Sequence, residues 1–238
     1  MLVVIVEFLT NLLDYFHAGR IYRFYKDKEI DCVIDVGSHK GEFIRKCIRS
    51  HSIPIFAVEP QKSVLEILKK NTRSFNVIEY FSCAAADRDG LIDIKLNHLS
   101  STASIFDPDE GSFWIKFKKL ILGNKLRAGT QKTSVYRLDT IMSDHVGGFE
   151  NILLKVDVEG AESLVLDGAR HLLSSGRVGF VQIENARFKI FEGRDGDDPF
   201  VILKDLGFFE VARFTFPTLN FSDHIFLASN RLDDDKST

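Results

Sequence analysis

Cysteine is scarce: Cys32, Cys47 and Cys83 are the three in 238 residues, far apart and without a CxxC pair. That pattern excludes a zinc ribbon and a secreted disulfide framework, and it fits small buried hydrophobes in a reducing cytosol. A cytoplasmic location is therefore expected. Proline is equally sparse at five, and with 16 glycines the chain falls outside the collagen-like and disordered classes. Neither sign of charge is in excess, since 31 Lys and Arg face 34 Asp and Glu, a formal −3. The basic surplus of a general nucleic-acid binder is missing, so no nucleic-acid partner is expected. Tryptophan occurs once and tyrosine five times, against 21 phenylalanines. Phe fills a core without the hydrogen-bond partner that buried Tyr and Trp need, so the surplus reads as core and lid packing.

A long uninterrupted apolar run is also lacking. The N-terminal MLVVIVEFLTNLLDYF has no basic leader, is interrupted by Glu7, and is followed by no small-residue cleavage site. Asn11 and Asp14 break the ~20 apolar residues that a spanning helix needs. Ile5, Leu9, Leu12 and Phe16 recur at helical spacing, which predicts a helix docked on the core through that face. Residues 1–30 thus read as a helical extension; peripheral contact with a membrane interface is the second reading. Residues 231–238 read as a flexible tail.

What is present from residue 30 onward is alternation. Apolar, β-branched runs at 31–36, 55–59, 152–157 and 178–184 predict buried strands, and a strand pair at 77–86 and 91–95 flanks the turn Asp87-Arg88-Asp89-Gly90. Between them, 42–50, the segment with Val64, Leu65 and Leu68, 162–173 and 199–206 predict helices. FFEVARFTF and DHIFLAS, near the end, read as two strands closing one sheet edge. Apolar strands separated by helices specify an α/β fold, with a mostly parallel sheet covered by helices on both faces.

The sharpest local feature is VIDVGSHKG (33–41), a strand entering a glycine-bearing turn before a helix. Gly37 and Gly41 let the backbone turn tightly and approach a ligand, with Ser38 between them. Eighteen residues beyond Gly41 the next strand ends in Glu59, placed to accept hydrogen bonds from a ribose diol. A dinucleotide fingerprint would need GxGxxG, but the spacing here is Gly37-x-x-x-Gly41, and Asp35 at the strand end would repel a pyrophosphate. No GKS or GKT follows, which excludes a P-loop. S-adenosylmethionine, with its sulfonium and ammonium, suits an acidic strand end better. A nucleotide-dependent oxidoreductase, a non-catalytic cofactor-binding module and an ordinary strand–loop–helix turn remain the alternatives.

VIDVGSHKGEF, AVEP, AAADRDG and YRLDTIMSD…ILLKVDVEGAESLVLDGA, over residues 31–185, resemble the FkbM-type methyltransferases. The resemblance implies a class I methyltransferase, Rossmann-like, with a seven-stranded sheet, acting on hydroxyls, commonly of sugars on glycans or glycosylated natural products. It implies that Asp35, Gly37 and Gly41 line the methionine end of S-adenosylmethionine, that Glu59 holds the ribose, and that Ala86 and Asp87 lie near the adenine. His39 and Lys40 depart from the family pattern, as does the segment 97–134, which reads as a substrate-side insertion in a domain spanning 31–230.

A sugar hydroxyl is a poor nucleophile and needs a base or a cation to lower its pKa. Asp157 and Glu159 follow the strand ILLKV, alternate residues on one side, and Glu184 ends the next strand with Asn185 after it. These three acids are the candidate catalytic groups, and Asn185 is a candidate acceptor contact. Asp157 and Glu184 would also suit Mg²⁺, although no fixed-spacing metal signature accompanies them. Glu159 has a second reading as a charge at the start of the helix that follows. Lys155 shares a face with Asp157 and is expected to pair with an acid; His39 and His224, the latter in an expected edge strand, read as structural or solvated.

Residues 111–138 hold seven Lys and Arg, among them Lys116, Lys118 and Lys119, and no acid. This island, interleaved with Phe113, Trp114, Ile115 and Phe117, fits an anionic or lipid-linked acceptor, an anionic membrane, or a lid over the core.

Overall fold

Burial on both faces is written into the central strands: every residue of β1 (Cys32–Val36), β2 (Ile55–Val58) and β8 (Ile152–Val156) is buried. The computed structural model of the chain describes residues 2–48, 50–97, 103–104, 127–186, 197–217 and 221–232. The remaining strands are β3 (Val77–Phe81), β4 (Ala84–Ala85), β5 (Gly90–Asn97), β6 (Ala103–Ser104), β7 (Arg127–Tyr136), β9 (Val178–Ala186), β10 (Phe208–Thr215) and β11 (Phe221–Ala228). Seven of them form one sheet in the order β10-β11-β9-β8-β1-β2-β3. Its members run parallel except β11, which pairs antiparallel with both β9 and β10. This is the mostly parallel α/β sheet that the sequence pattern predicts, with the seven strands that the family resemblance implies.

Strand alternation assigns the two faces. Cys32, Ile34, Val36, Phe56, Ile152, Leu154, Val156, Val181 and Ile183 pack in one core with helices α4 (Leu138–Met142), α5 (Glu162–Asp167), α6 (Arg170–Ser174) and α7 (Pro199–Asp205). Val33, Ile55, Ala57, Leu153, Phe180, Ile225 and Leu227 pack in the other with α1 (Leu2–Tyr25), α2 (Glu42–Cys47) and α3 (Lys62–Asn71). Val64, Leu65 and Leu68 are the buried face of α3, as their spacing requires. α7 begins where Asp198 accepts a hydrogen bond from the Phe200 N–H at 2.9 Å, with Pro199 in the first turn.

Five expectations change. The segment 77–86 divides at Ser82-Cys83: β3 ends in the main sheet, and β4 joins a second sheet of order β4-β7-β5-β6. The partner of β5 is β7, antiparallel from Gly90↔Val135 to Asn97↔Arg127. Because β7 carries few apolar residues, its strand pattern is hidden inside the basic segment. The helix expected over 162–173 is two helices that part at Gly168, where a Cβ would run into the Ala86 carbonyl oxygen. α1 docks through His17, Ala18, Ile21 and Tyr25, while Leu12 and Phe16, on the predicted face, are 41% and 60% exposed. His17 turns inward beside the apolar Ala18 and Ile21 because a strand end beneath α1 offers it the Asp223 carboxylate at 2.6 Å. Finally, His224 is not on an edge: β11 lies inside the sheet, and His224 bonds Ser222 and Glu210 at 2.7 and 3.0 Å.

Candidate active site

The strand registers gather polar groups at one end of the sheet. Asp35, Lys155 and Gln182 stand opposite one another across β1, β8 and β9. One row further toward the carboxyl ends, Glu184 of β9 faces Asp223 of β11. By alternation all of them lie on the α1 side of the sheet, the side of Val33, Leu153 and Phe180. The place is also where the strand order reverses, since β1 is flanked by β2 on one side and β8 on the other, the crevice where α/β sheets bind ligands.

The turn after β1 is built for close approach. Gly37 has φ +79°, and a Cβ there would run into the Asp157 carbonyl oxygen. The Gly37 and Ser38 N–H groups donate to the Val58 carbonyl at 3.0 and 3.1 Å, and Asp157 N–H donates to Val36 at 3.0 Å, which ties the ends of β1, β2 and β8 together. Gly41, also left-handed at φ +82°, precedes α2 and packs on Thr72 and Leu68. Among the described residues, two non-glycines share that sparsely populated region, His39 at φ +48° and Glu159 at φ +54°. Both line the same cavity, a placement common for strained backbone at sites.

Glu59 is pinned by both oxygens: Oε2 accepts from the His39 N–H at 3.0 Å and Oε1 from the Gln61 N–H at 2.8 Å. Burial raises its pKa, against those hydrogen bonds and the nearby His39. Glu42, in the first turn of α2, accepts from Lys40 N–H and pairs with His39 Nδ1, both at 3.1 Å. Burial opposes its ionisation, but the His39 contact and backbone donors take Glu42 down to about 2.

Lys155 is the charge centre of the floor. Its Nζ is 3.0 Å from Asp157 Oδ2 and 3.5 Å from Asp35 Oδ1. Burial disfavours its charge, yet Asp157 and Asp35 together push its pKa up. Asp35 is fully buried, and neither of its oxygens has a hydrogen-bond partner among the described residues. Burial raises the Asp35 pKa, Lys155 opposes this, and Asp157 adds to it. Glu184 is raised well above the usual carboxylate range, first by burial and then by the charges of Asp157, Asp223 and Glu159. Above this floor opens a cavity of about 400 Å³, in the range that binds small molecules. Its described lining carries seven carboxylates against Lys46 and Lys155. Such a wall suits a cationic or neutral polyhydroxyl ligand better than an anion.

Residues 35–210 match the Methyltransferase FkbM domain. The chain belongs to the FkbM methyltransferases. It is 25% identical over 181 residues to the 2-O-methyltransferase NoeI of Sinorhizobium fredii, covering 71% of this chain and 68% of that one. Among solved structures it resembles the N-methyltransferase NodS of Bradyrhizobium japonicum WM9, at 10% identity and TM-score 0.50, over 92% of this chain and 97% of that one. The magnesium protoporphyrin IX methyltransferase ChlM of Synechocystis PCC 6803, solved with bound SAM, aligns at 8% identity and TM-score 0.46, over 92% and 81%. The fold is that of class I S-adenosylmethionine methyltransferases, and the protein is an S-adenosylmethionine-dependent methyltransferase.

In this FkbM protein the cavity brings together Gly37, Ser38, Glu59, Ala86, Asp157, Glu159 and Glu184. Asp35 lies behind Lys155 and Gly41 behind the turn, neither on the wall. Asp87 is outside it, near Arg88 at 3.6 Å. Asn185 pairs with Ser222 and, by alternation, faces the opposite side of the sheet from Glu184. Lys116, Lys118 and Lys119 lie outside the described residues, as do residues 187–196 and the tail from 233. At the start of α5, Glu162 accepts from the Gly160 N–H at 3.0 Å. Among the described residues no group of three or more His, Cys, Asp and Glu is arranged to hold a metal, and the cation beside Asp157 is Lys155, so the Mg²⁺ expectation gains no support. Sequence patterning missed Asp14, His17, Lys46, Gln182 and Asp223 as wall residues. Only their period-two alignment with Lys155 and Glu184, visible once strand registers are known, would have flagged Gln182 and Asp223. Among the described residues no helix is long and apolar enough to cross a membrane.

Proposed function

We propose that the protein methylates a hydroxyl group, on a sugar of a glycan or of a glycosylated natural product. The observation that carries this is the row of carboxylates Asp157, Glu159 and Glu184 on the cavity wall, acceptors matched to the hydroxyl hydrogens of a sugar. The relationship to a 2-O-methyltransferase supports the choice of oxygen.

The residues present fit S-adenosylmethionine: the Gly37 cradle is one that a Cβ would fill, and the cavity beside it is walled by carboxylates that suit a cationic ligand. When bound, the cofactor supplies an electrophilic methyl group on a sulfonium. Asp35, through Lys155 and with Gly37, Ser38 and Gly41, would shape the methionine end. Glu59, held rigid by two backbone N–H groups, would receive the ribose diol, and the Ala86–Asp87 backbone would border the adenine. Asp157, fixed by Lys155, and Glu159 and Glu184 would orient the acceptor so that one hydroxyl oxygen faces the methyl carbon, since positioning is the main catalytic demand of an in-line transfer.

The test pairs binding with transfer. S-adenosylhomocysteine is expected to bind and NAD not to, and labelled methyl should pass to at least one member of a panel of methyl glycosides and oligosaccharides as an O-methyl ether. Binding without transfer to any sugar hydroxyl, or a methyl found on nitrogen, overturns the proposal.

A further inference from the structure

We propose that His17, on the N-terminal helix, takes the proton from the acceptor hydroxyl while Asp223 holds it in the required tautomer. This rests on the hydroxyl-methylation reading above. His17 lines the cavity beside Asp223, Gln182 and Glu184, and it is 6% exposed. Its Nε2 lies 2.6 Å from Asp223 Oδ2. The other Asp223 oxygen accepts from Gln182 Nε2 at 2.7 Å, and Gln182 Oε1 accepts from the Tyr25 hydroxyl at 3.1 Å.

That chain has a direction. Tyr25 is a phenol whose pKa is pushed up by burial and by Asp223, so it donates. Gln182 then presents its amide N–H to Asp223, and the carboxylate, an acceptor only, requires the proton of His17 on Nε2. Nδ1 is left as a bare lone pair, and it has no hydrogen-bond partner among the described residues although it is buried. Phe216 and Phe221, in T-shaped contact at 5.3 and 5.9 Å between ring centres, hold the imidazole plane. A buried, unpaired acceptor on a residue that lines a cavity is costly unless a donor arrives to meet it, and an acceptor hydroxyl is such a donor. As the oxygen–methyl bond forms and the sulfur–methyl bond breaks, the hydroxyl proton passes to Nδ1. The positive charge then moves from sulfur to an imidazolium paired with Asp223, which balances the step. The carboxylates of Asp157, Glu159 and Glu184 orient the sugar, and His17 removes the proton.

Two measurements on the full chain decide it. Long-range proton–nitrogen correlations of ¹⁵N-histidine protein, with His17 assigned by its loss in His17→Gln, should show the proton on Nε2. In Asp223→Asn, whose amide donates to Nε2, the proton should move to Nδ1. In labelled methyl transfer to the glycoside panel, both variants should lower kcat about 100-fold or more, as loss of a general base does, with acceptor KM and S-adenosylhomocysteine affinity within about threefold. A proton on Nδ1 in the wild type, or kcat within about threefold in His17→Gln, overturns the assignment alone. A wild type that binds S-adenosylhomocysteine yet methylates no sugar overturns the hydroxyl reading, and this assignment with it. Because affinity for S-adenosylhomocysteine reports an intact fold, a variant that merely unfolds is recognised by losing it, and Asp223→Asn then carries the test.

Discussion

Asp35 and Lys155 stand directly opposite each other on neighbouring parallel strands, with Lys155 Nζ 3.5 Å from Asp35 Oδ1 and the carboxylate wholly out of solvent. Desolvation is severe for both, so the pair survives only because each compensates the other. Lys155→Met leaves Asp35 buried and uncompensated, which should cost about 3–5 kcal/mol at pH 7 by urea denaturation. The sign follows from the raised pKa of Asp35: the native state holds that proton more tightly than the unfolded chain, so stability falls as pH rises above the ordinary carboxylate value. Removing the lysine raises this pKa further and steepens the decline. A variant as stable as the wild type at pH 7, with an unchanged slope, would refute the pairing.

Glu59 makes a different kind of contribution, because both its oxygens receive backbone N–H groups from two separate turns. Glu59→Gln replaces one acceptor with a donor and leaves one of those N–H groups unpaired. The expected loss is about 1–3 kcal/mol of stability. Calorimetric titration with S-adenosylhomocysteine should show affinity falling about tenfold or more, because turn 37–41 loses its anchor. Unchanged affinity would remove Glu59 from the cofactor site.

Gly37 has no space for a side chain, since the Asp157 carbonyl occupies the Cβ position, and its φ is left-handed as well. Gly37→Ala must therefore push β1 away from the end of β8, where Asp157 N–H bonds Val36. A lower melting temperature together with loss of S-adenosylhomocysteine binding is expected. Full binding in the variant would show that the turn does not form the cofactor cradle.

The turn and its two flanking strands were legible because local patterns specify them: an apolar run, glycines at positive φ, an acid at the next strand end. The same holds for Asp157 and Glu184, each one residue or two beyond an apolar run. What local pattern cannot supply is register. Gln182 and Asp223 look like interruptions of apolar strands, and only the pairing of β9 with β11 sets them under α1. His17 was hidden for a related reason: the stripe Leu12 and Phe16 is exposed, and the inward face pairs the apolar Ala18 and Ile21 with a histidine whose partner, Asp223, lies 206 residues away. β7 was concealed by its composition, and its partner β5 lies 30 residues and more away in sequence.

Glu184 is held under strain of charge, with Asp157, Asp223 and Glu159 all raising its pKa beyond the effect of burial. Two consequences separate its role in binding from its effect on stability. As an acceptor of sugar hydroxyls it must be ionised, so acceptor KM should fall as pH rises through its raised pKa. Glu184→Gln should flatten that limb and raise KM about tenfold on its high-pH side, a loss of ~1.4 kcal/mol, near that of one charge-assisted hydrogen bond. Stability runs the other way: the native state binds the Glu184 proton more tightly than the unfolded chain, so the wild type loses stability as pH rises above the ordinary carboxylate range. Glutamine has no charge to repel its neighbours, and the variant should gain on the wild type in urea melts as pH rises above the ordinary carboxylate range. A variant that is both weaker in KM and less stable across that range would mean that Glu184 is a structural carboxylate with a paired neighbour, and not a charged group kept at a cost for the acceptor.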